Sequence, residues 1–221
     1  MLKIKASVLP PSLPTSETPL GDLRFRALLS AESWSSLPPV VRKRFSKRLA
    51  GAASVVYKGE VVHTHMNWAG MMLAQLTRLI GGPLPVSRDE NMPAIVTVTE
   101  DPETHGQYWS RHYNRRSGFP QVIHSSKRFQ GSTGLEEYVG GGVGMALRIE
   151  VEAGALVFKS AHYFLMLGSK RLRLPHWLSP GDLTVTHRAV DTDTFEFILH
   201  VEHPVFGTLL HQFAIFKDTT S

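Results

Sequence analysis

The sequence predicts an α+β domain: a large curved antiparallel sheet, a barrel or half barrel of about eight to nine strands, covered by an N-terminal set of helices. Three observations carry this. From Ala94 onward hydrophobicity alternates with period two, and turn residues cut the chain into strand-length runs. Helix start and stop signals are confined to the residues before Pro83. Glu152-Ala153-Gly154 and Asp191-Thr192-Asp193 are links of hairpin length, so consecutive strands pair antiparallel. A sheet this wide curls or closes to protect its edges and its apolar face.

Residues 1–20, rich in Pro, Ser and Thr, read as a flexible leader, and 21–221 as a single barrel-like domain. Short helices follow around Leu23 to Leu29 and Pro38 to Leu49, the second with prolines in its first turn. A strand over Ala52 to His65 runs into Asn67, a good N-cap. The helix it caps repeats Trp68, Met72, Leu76, Leu79 and Ile80 at helical spacing before Gly81, Gly82 and Pro83 stop it. That stripe reads as core, the face with which the helix covers the sheet. The remaining strands are 94–99, 107–114, 122–129, 143–151, 155–165, 184–190, 194–201 and 208–217.

The chain has 221 residues and no cysteine, which excludes a disulfide scaffold, a cysteine nucleophile and thiolate metal sites, and suits a reducing, cytoplasmic setting. Prolines 10, 11 and 14 interrupt the apolar residues of Met1 to Thr18, so no signal-peptide run forms there. No uninterrupted apolar run reaches about 18 residues, so no membrane-spanning helix is expected. The net charge of +5 comes from the first 50 residues, largely Arg42, Lys43, Arg44, Lys47 and Arg48. This cluster could meet an anionic surface. Without a nucleic-acid fold signature it reads as a solvated helix face, with Val40, Val41, Phe45 and Leu49 turned inward; no nucleic-acid partner is expected.

Several tempting motifs fail. Gly140-Gly141-Gly142-Val143-Gly144 precedes a period-two strand rather than a helix, so it offers no phosphate-binding helix end and fits a bulge or a close backbone approach. His63 and His65 share a strand face, but no third ligand accompanies them, and no metal or organic cofactor is expected. A nucleophile elbow and a zinc-protease helix are both missing. What remains is a loose polar set. Alternation puts Trp109, Arg111 and Tyr113 on one face, where an arginine between aromatics can hold a carboxylate, phosphate or carbonyl, snorkel to the rim, or pair with an internal carboxylate. Around it stand Glu136, Glu137, Tyr138, His124, His162 and Tyr163, of which Glu137, His124 and Tyr138 are the acid–base candidates.

Three stretches resemble a bacterial family of domains of unknown function that occurs alone or fused behind short-chain-reductase or saccharopine-dehydrogenase-like modules. They are Gly70 to Pro85; Trp109-Ser-Arg111-His-Tyr113 with Leu135-Glu-Glu137-Tyr138; and Leu172 to Pro180 with His203-Pro204-Val-Phe-Gly207. The resemblance spans about residues 23–217 and implies a small-molecule or lipid pathway and a reductase as partner. It favours Trp109, Arg111, Glu137, Trp177 and His203 over other polar residues as site residues.

Two readings of function follow. The first is a binding module whose cavity takes an apolar or amphipathic molecule, lipid or polyketide-like, with Arg111 and Glu137 at its polar end and Trp109, Tyr113, His162, Tyr163, Trp177 and His203 around it. The second is a cofactor-independent isomerase, cyclase or hydratase working by acid–base chemistry in the same cavity. A raised pKa on a buried Glu137 would favour the enzyme; a direct Arg111–Glu137 bridge would count against it. An edge strand could pair two chains into a homodimer.

Overall fold

The structure, a computed structural model, describes residues 21–47, 49, 53–168 and 170–219. The expected leader at 1–20 and Arg48 of the basic cluster lie outside these residues. Helices α1 (Arg24–Ala27), α2 (Ala31–Ser36) and α3 (Pro39–Phe45) precede strand β1 (Ser54–Met66) and helix α4 (Trp68–Leu76), which continues as a 3-10 turn over Thr77–Ile80. Ten strands follow: β2 (Met92–Asp101), β3 (Gly106–Tyr113), β4 (Gln121–Arg128), β5 (Glu136–Gly140), β6 (Val143–Glu152), β7 (Ala155–Leu167), β8 (Lys170–Arg173), β9 (Asp182–Ala189), β10 (Thr194–His203) and β11 (Gly207–Asp218).

All pairings are antiparallel. The order β6-β5-β4-β3-β2-β1-β11-β10-β9-β7 closes through a β6–β7 seam, and β8 adds to the outer part of β7. The fold is therefore mostly β: of the expected barrel or half barrel it is the closed antiparallel barrel, with ten strands plus one rather than eight or nine, and with few helices. The two strands missing from the expectation, β5 and β8, span five and four residues, too short for alternation to announce them. Closure leaves β8 at the end of the strand order.

Two bulges set which side chains face inward. In β7, Ala146 of β6 pairs with His162 while the next residue, Leu147, pairs with Ser160. The extra residue reverses the parity of the strand, so Phe158 and Tyr163 both face the interior although five positions separate them. A second shift between Val61 and His63 does the same in β1. It turns Val61 and then Thr64 and Met66 into buried positions and leaves His63 and His65 outside.

The N-terminal helices plug one end of the barrel. Phe25 packs edge-on against Phe45, Phe129 and Phe158, and Phe45 reaches His187 inside. Val41, Phe45 and Leu49 are buried and Val40 is half-buried, as the spacing predicts. Arg44 departs from a solvated face: it is buried with its guanidinium over the Phe195 ring, 4.0 Å from the centroid.

Helix α4 covers the opposite end, and its orientation corrects the sequence reading. Trp68, Met72, Leu76 and Leu79 are exposed, while Gly70 and Ala74 are buried. The helix docks through small residues because its backbone approaches β11 closely. A Cβ on Gly70 would stand 2.0 Å from the Leu209 carbonyl oxygen, so only glycine permits the contact. Asn67 caps the helix by accepting the Gly70 N–H at 2.8 Å. At the end of β5, Gly140 adopts a left-handed φ of 117° beside a register shift, and its Cβ would meet the Ile80 carbonyl oxygen at 2.0 Å. The glycine run is the bulge and close approach its sequence context suggests.

Candidate functional site

The interior between plug and α4 is not filled. A cavity of about 130 Å³ enters from the α4 end, of the order of the ~150 Å³ void known to hold a benzene. Its mouth is framed by Leu73, Ile80, Leu84, Leu174 and Pro180, and its walls by Met145, Phe158, Leu199 and Val201. The mouth segment is fixed by Gln121, which accepts the Val86 N–H at 2.9 Å and donates to the Leu84 carbonyl at 2.8 Å.

One patch of this wall is ionic. Strands β3, β4 and β5 are hairpin neighbours, and register sets Lys127 directly opposite Glu137, Trp109 opposite Ser125, and Arg111 one step further along the same face. Lys127 Nζ lies 2.6 Å from Glu137 Oε2. Arg111 Nη2 donates to Glu137 Oε1 at 3.3 Å and Nη1 to Ser125 Oγ at 3.0 Å, while Ser125 Oγ donates to Glu137 Oε1 at 2.6 Å. The Trp109 ring lies 5.1 Å from Lys127 Nζ and 5.8 Å from the Arg111 guanidinium.

Burial by itself pushes the Glu137 carboxyl upward, but Lys127, Arg111 and the Ser125 hydroxyl overcome it and hold it at about 2. Burial lowers the Lys127 ammonium against the pull of Glu137. On the facing wall His187 of β9 is buried and stacks on Phe195 at 5.7 Å. Burial first, then Arg44, Lys127 and Arg111, push its pKa well down, so it is neutral, and its Nδ1 has no hydrogen-bond partner among the described residues.

The structure brings Trp109, Arg111, Tyr113, Glu137 and Tyr163 together around this cavity. It places the others elsewhere. His124 is exposed on the outer wall, its Nδ1 2.9 Å from Ser110 Oγ. Tyr138 faces outward and donates to Glu136 at 3.0 Å, beneath Arg171 of β8. His162 lines a separate pocket of about 270 Å³ with Tyr163, Arg173 and Asp182. Trp177 is 78% exposed. His203 accepts the Val205 N–H at 3.1 Å and so shapes the β10–β11 turn. Sequence reasoning missed Ser125, Lys127 and His187. The alternation that groups Ile123, Ser125 and Lys127, and Leu183, Val185 and His187, was available, but only register shows that these faces meet Arg111 and Glu137.

A family model described as a domain of unknown function, DUF4166, matches residues 37–216. The chain belongs to the DUF4166 family. No curated protein and no solved structure matches it. The match runs from Leu37, just before α3, through nearly all of β11, so the barrel and its cavity lie within the DUF4166 domain. Among the described residues no helix is long and apolar enough to cross a membrane, and no group of three or more His, Cys, Asp or Glu is placed to hold a metal.

Proposed function

We propose that this DUF4166 domain binds an apolar or amphipathic small molecule, lipid or polyketide-like, inside its barrel, with the polar end at Arg111 and Glu137. The observation that supports this best is the composition of the cavity: aliphatic and aromatic walls open at one end, and a single hydrogen-bonded ionic patch. A carrier of this kind suits the resemblance to domains fused behind reductases, which would act on what the barrel delivers, and a cysteine-free chain suits the reducing cytoplasm.

The acid–base alternative, an isomerase, cyclase or hydratase, loses its central residue. Glu137 is ionised, bridged by two cations and far from a pKa near neutrality, where a general acid or base works best. The test of the binding reading is native mass spectrometry of the purified protein for co-purified small molecules, with uptake of the neutral apolar dye Nile red as a second readout. Bound apolar species and saturable dye fluorescence are expected. A protein that carries nothing and takes up no dye would refute the reading.

A further inference from the structure

Resting on the reading of the cavity as a binding site, we propose that its ligand is a monoanionic amphiphile, an apolar body with one carboxylate head seated on Arg111 and Lys127 and touching His187. Three kinds of head group suit an arginine between aromatics: a carboxylate, a phosphate or a neutral carbonyl. The charge of the wall decides among them.

Among the described residues lining the cavity Glu137 is the one carboxylate, against two cations, Arg111 and Lys127. Side chains of all three are no more than 13% exposed. The wall therefore carries one surplus positive charge in an apolar enclosure, where an uncompensated charge is costly. No other lining residue supplies the missing negative charge. From the plug side Arg44 adds positive charge towards His187, and Asp218, a carboxylate that acts on Arg44, lies 2.6 Å from Lys47. A neutral head leaves the surplus in place, and a phosphate monoester dianion overshoots it. A carboxylate cancels it.

Hydrogen-bond capacity points the same way. An ammonium has three donors and a guanidinium five; Lys127 uses one, on Glu137, and Arg111 two, on Ser125 and Glu137. Among the described residues the other partners of Lys127 are the faces of Trp109 and Phe158. His187, on the wall across from them, presents a buried ring nitrogen without a partner among those residues. Donors left over on two cations and an orphan imidazole nitrogen around one cavity make a cradle for an acceptor with two oxygens.

The experiment titrates the full chain by calorimetry at pH 7.5 with octanoate, octan-1-ol and octylammonium, which share one apolar body and differ in head charge. Octanoate is expected to bind about tenfold or more tighter than octan-1-ol, the scale of one charge-assisted hydrogen bond, and octylammonium not at all. In Lys127→Met the preference for octanoate over octan-1-ol is expected to fall to about twofold or less, because the surplus charge is gone. Equal binding of octanoate and octan-1-ol to the native protein overturns the proposal and leaves the binding reading standing. Failure of all three ligands and of Nile red overturns both. The native protein's ligand series decides the matter even if the variant does not fold.

Discussion

Replacing Glu137 by Gln tests the ionic patch most directly, because it removes the only carboxylate of the cavity wall among the described residues and keeps its shape. The carboxamide oxygen of Glu137→Gln can still accept from Arg111 and Ser125, so the deficit concentrates on Lys127, whose Nζ loses an oxygen at 2.6 Å in a fully enclosed setting. The penalty has a ceiling. The buried ammonium can shed its proton, which from an ordinary pKa of about 10.4 costs about 4.6 kcal/mol at pH 7. Removing one partner of a buried pair costs about 3–5 kcal/mol, so the two estimates agree. The ceiling also predicts a pH dependence. If Lys127 is neutral in the folded variant and charged in the unfolded chain, each unit of pH upward from 7 reduces the penalty by about 1.4 kcal/mol. In the native protein Glu137 opposes the burial that lowers the Lys127 pKa, and that slope begins only above the folded pKa of Lys127. Urea unfolding at pH 7 and 9 measures both quantities, and the double variant Lys127→Met/Glu137→Gln is expected to recover most of the loss. A single variant within about 1 kcal/mol of the native protein at pH 7, or a deficit identical at pH 9, would refute the reasoning.

Four further outcomes are expected. His187 stays neutral when folded, so the unfolded chain takes up its proton first as pH falls through about 6.5, and stability drops by about 1.4 kcal/mol per unit below that; His187→Phe should flatten the slope between pH 6.5 and 5 in urea titrations. Gly70→Ala drives a Cβ into the Leu209 carbonyl and should cost about 1–3 kcal/mol, seen as a lower thermal midpoint. Met145→Trp places an indole in the cavity and should abolish Nile red uptake while the protein stays folded by circular dichroism. His124→Ala and Tyr138→Phe alter the outer wall, so dye and octanoate binding should stay within about twofold of native values.

Legibility in the sequence followed how local each feature is. Alternation within a strand is local, and it placed Trp109, Arg111 and Tyr113 on one face, with an internal carboxylate as one of the partners open to Arg111. Parity across a bulge is not local. The extra residue in β7 puts Phe158 and Tyr163 on the same wall, which a strict period of two denies. The inward set of Lys127 and His187 depends on strands far apart in sequence meeting at a given register, and nothing in either segment alone announces it. The apolar stripe of α4 misled for another reason. A helix that approaches a strand through glycine and alanine leaves its large apolar residues outside, so side-chain size and burial run opposite to the usual pattern.

The ionic patch also answers a question that the apolar walls leave open: what fixes the register of the barrel. Aliphatic faces on β6, β7, β9 and β10 would tolerate exchange of one branched residue for another, but a shift of one residue between β4 and β5 would turn either Lys127 or Glu137 to the opposite face. The surviving partner would then be buried without its counter-charge, at the same cost of about 3–5 kcal/mol that the Glu137→Gln variant is designed to expose. Pinning one register needs only one cation for one carboxylate. The second cation, Arg111, bonds Glu137 and Ser125 as well, but it leaves the patch with one positive charge more than its carboxylate cancels. Its retention inside the cavity is therefore better explained by an anionic occupant than by the fold, and the octanoate series asks that question directly.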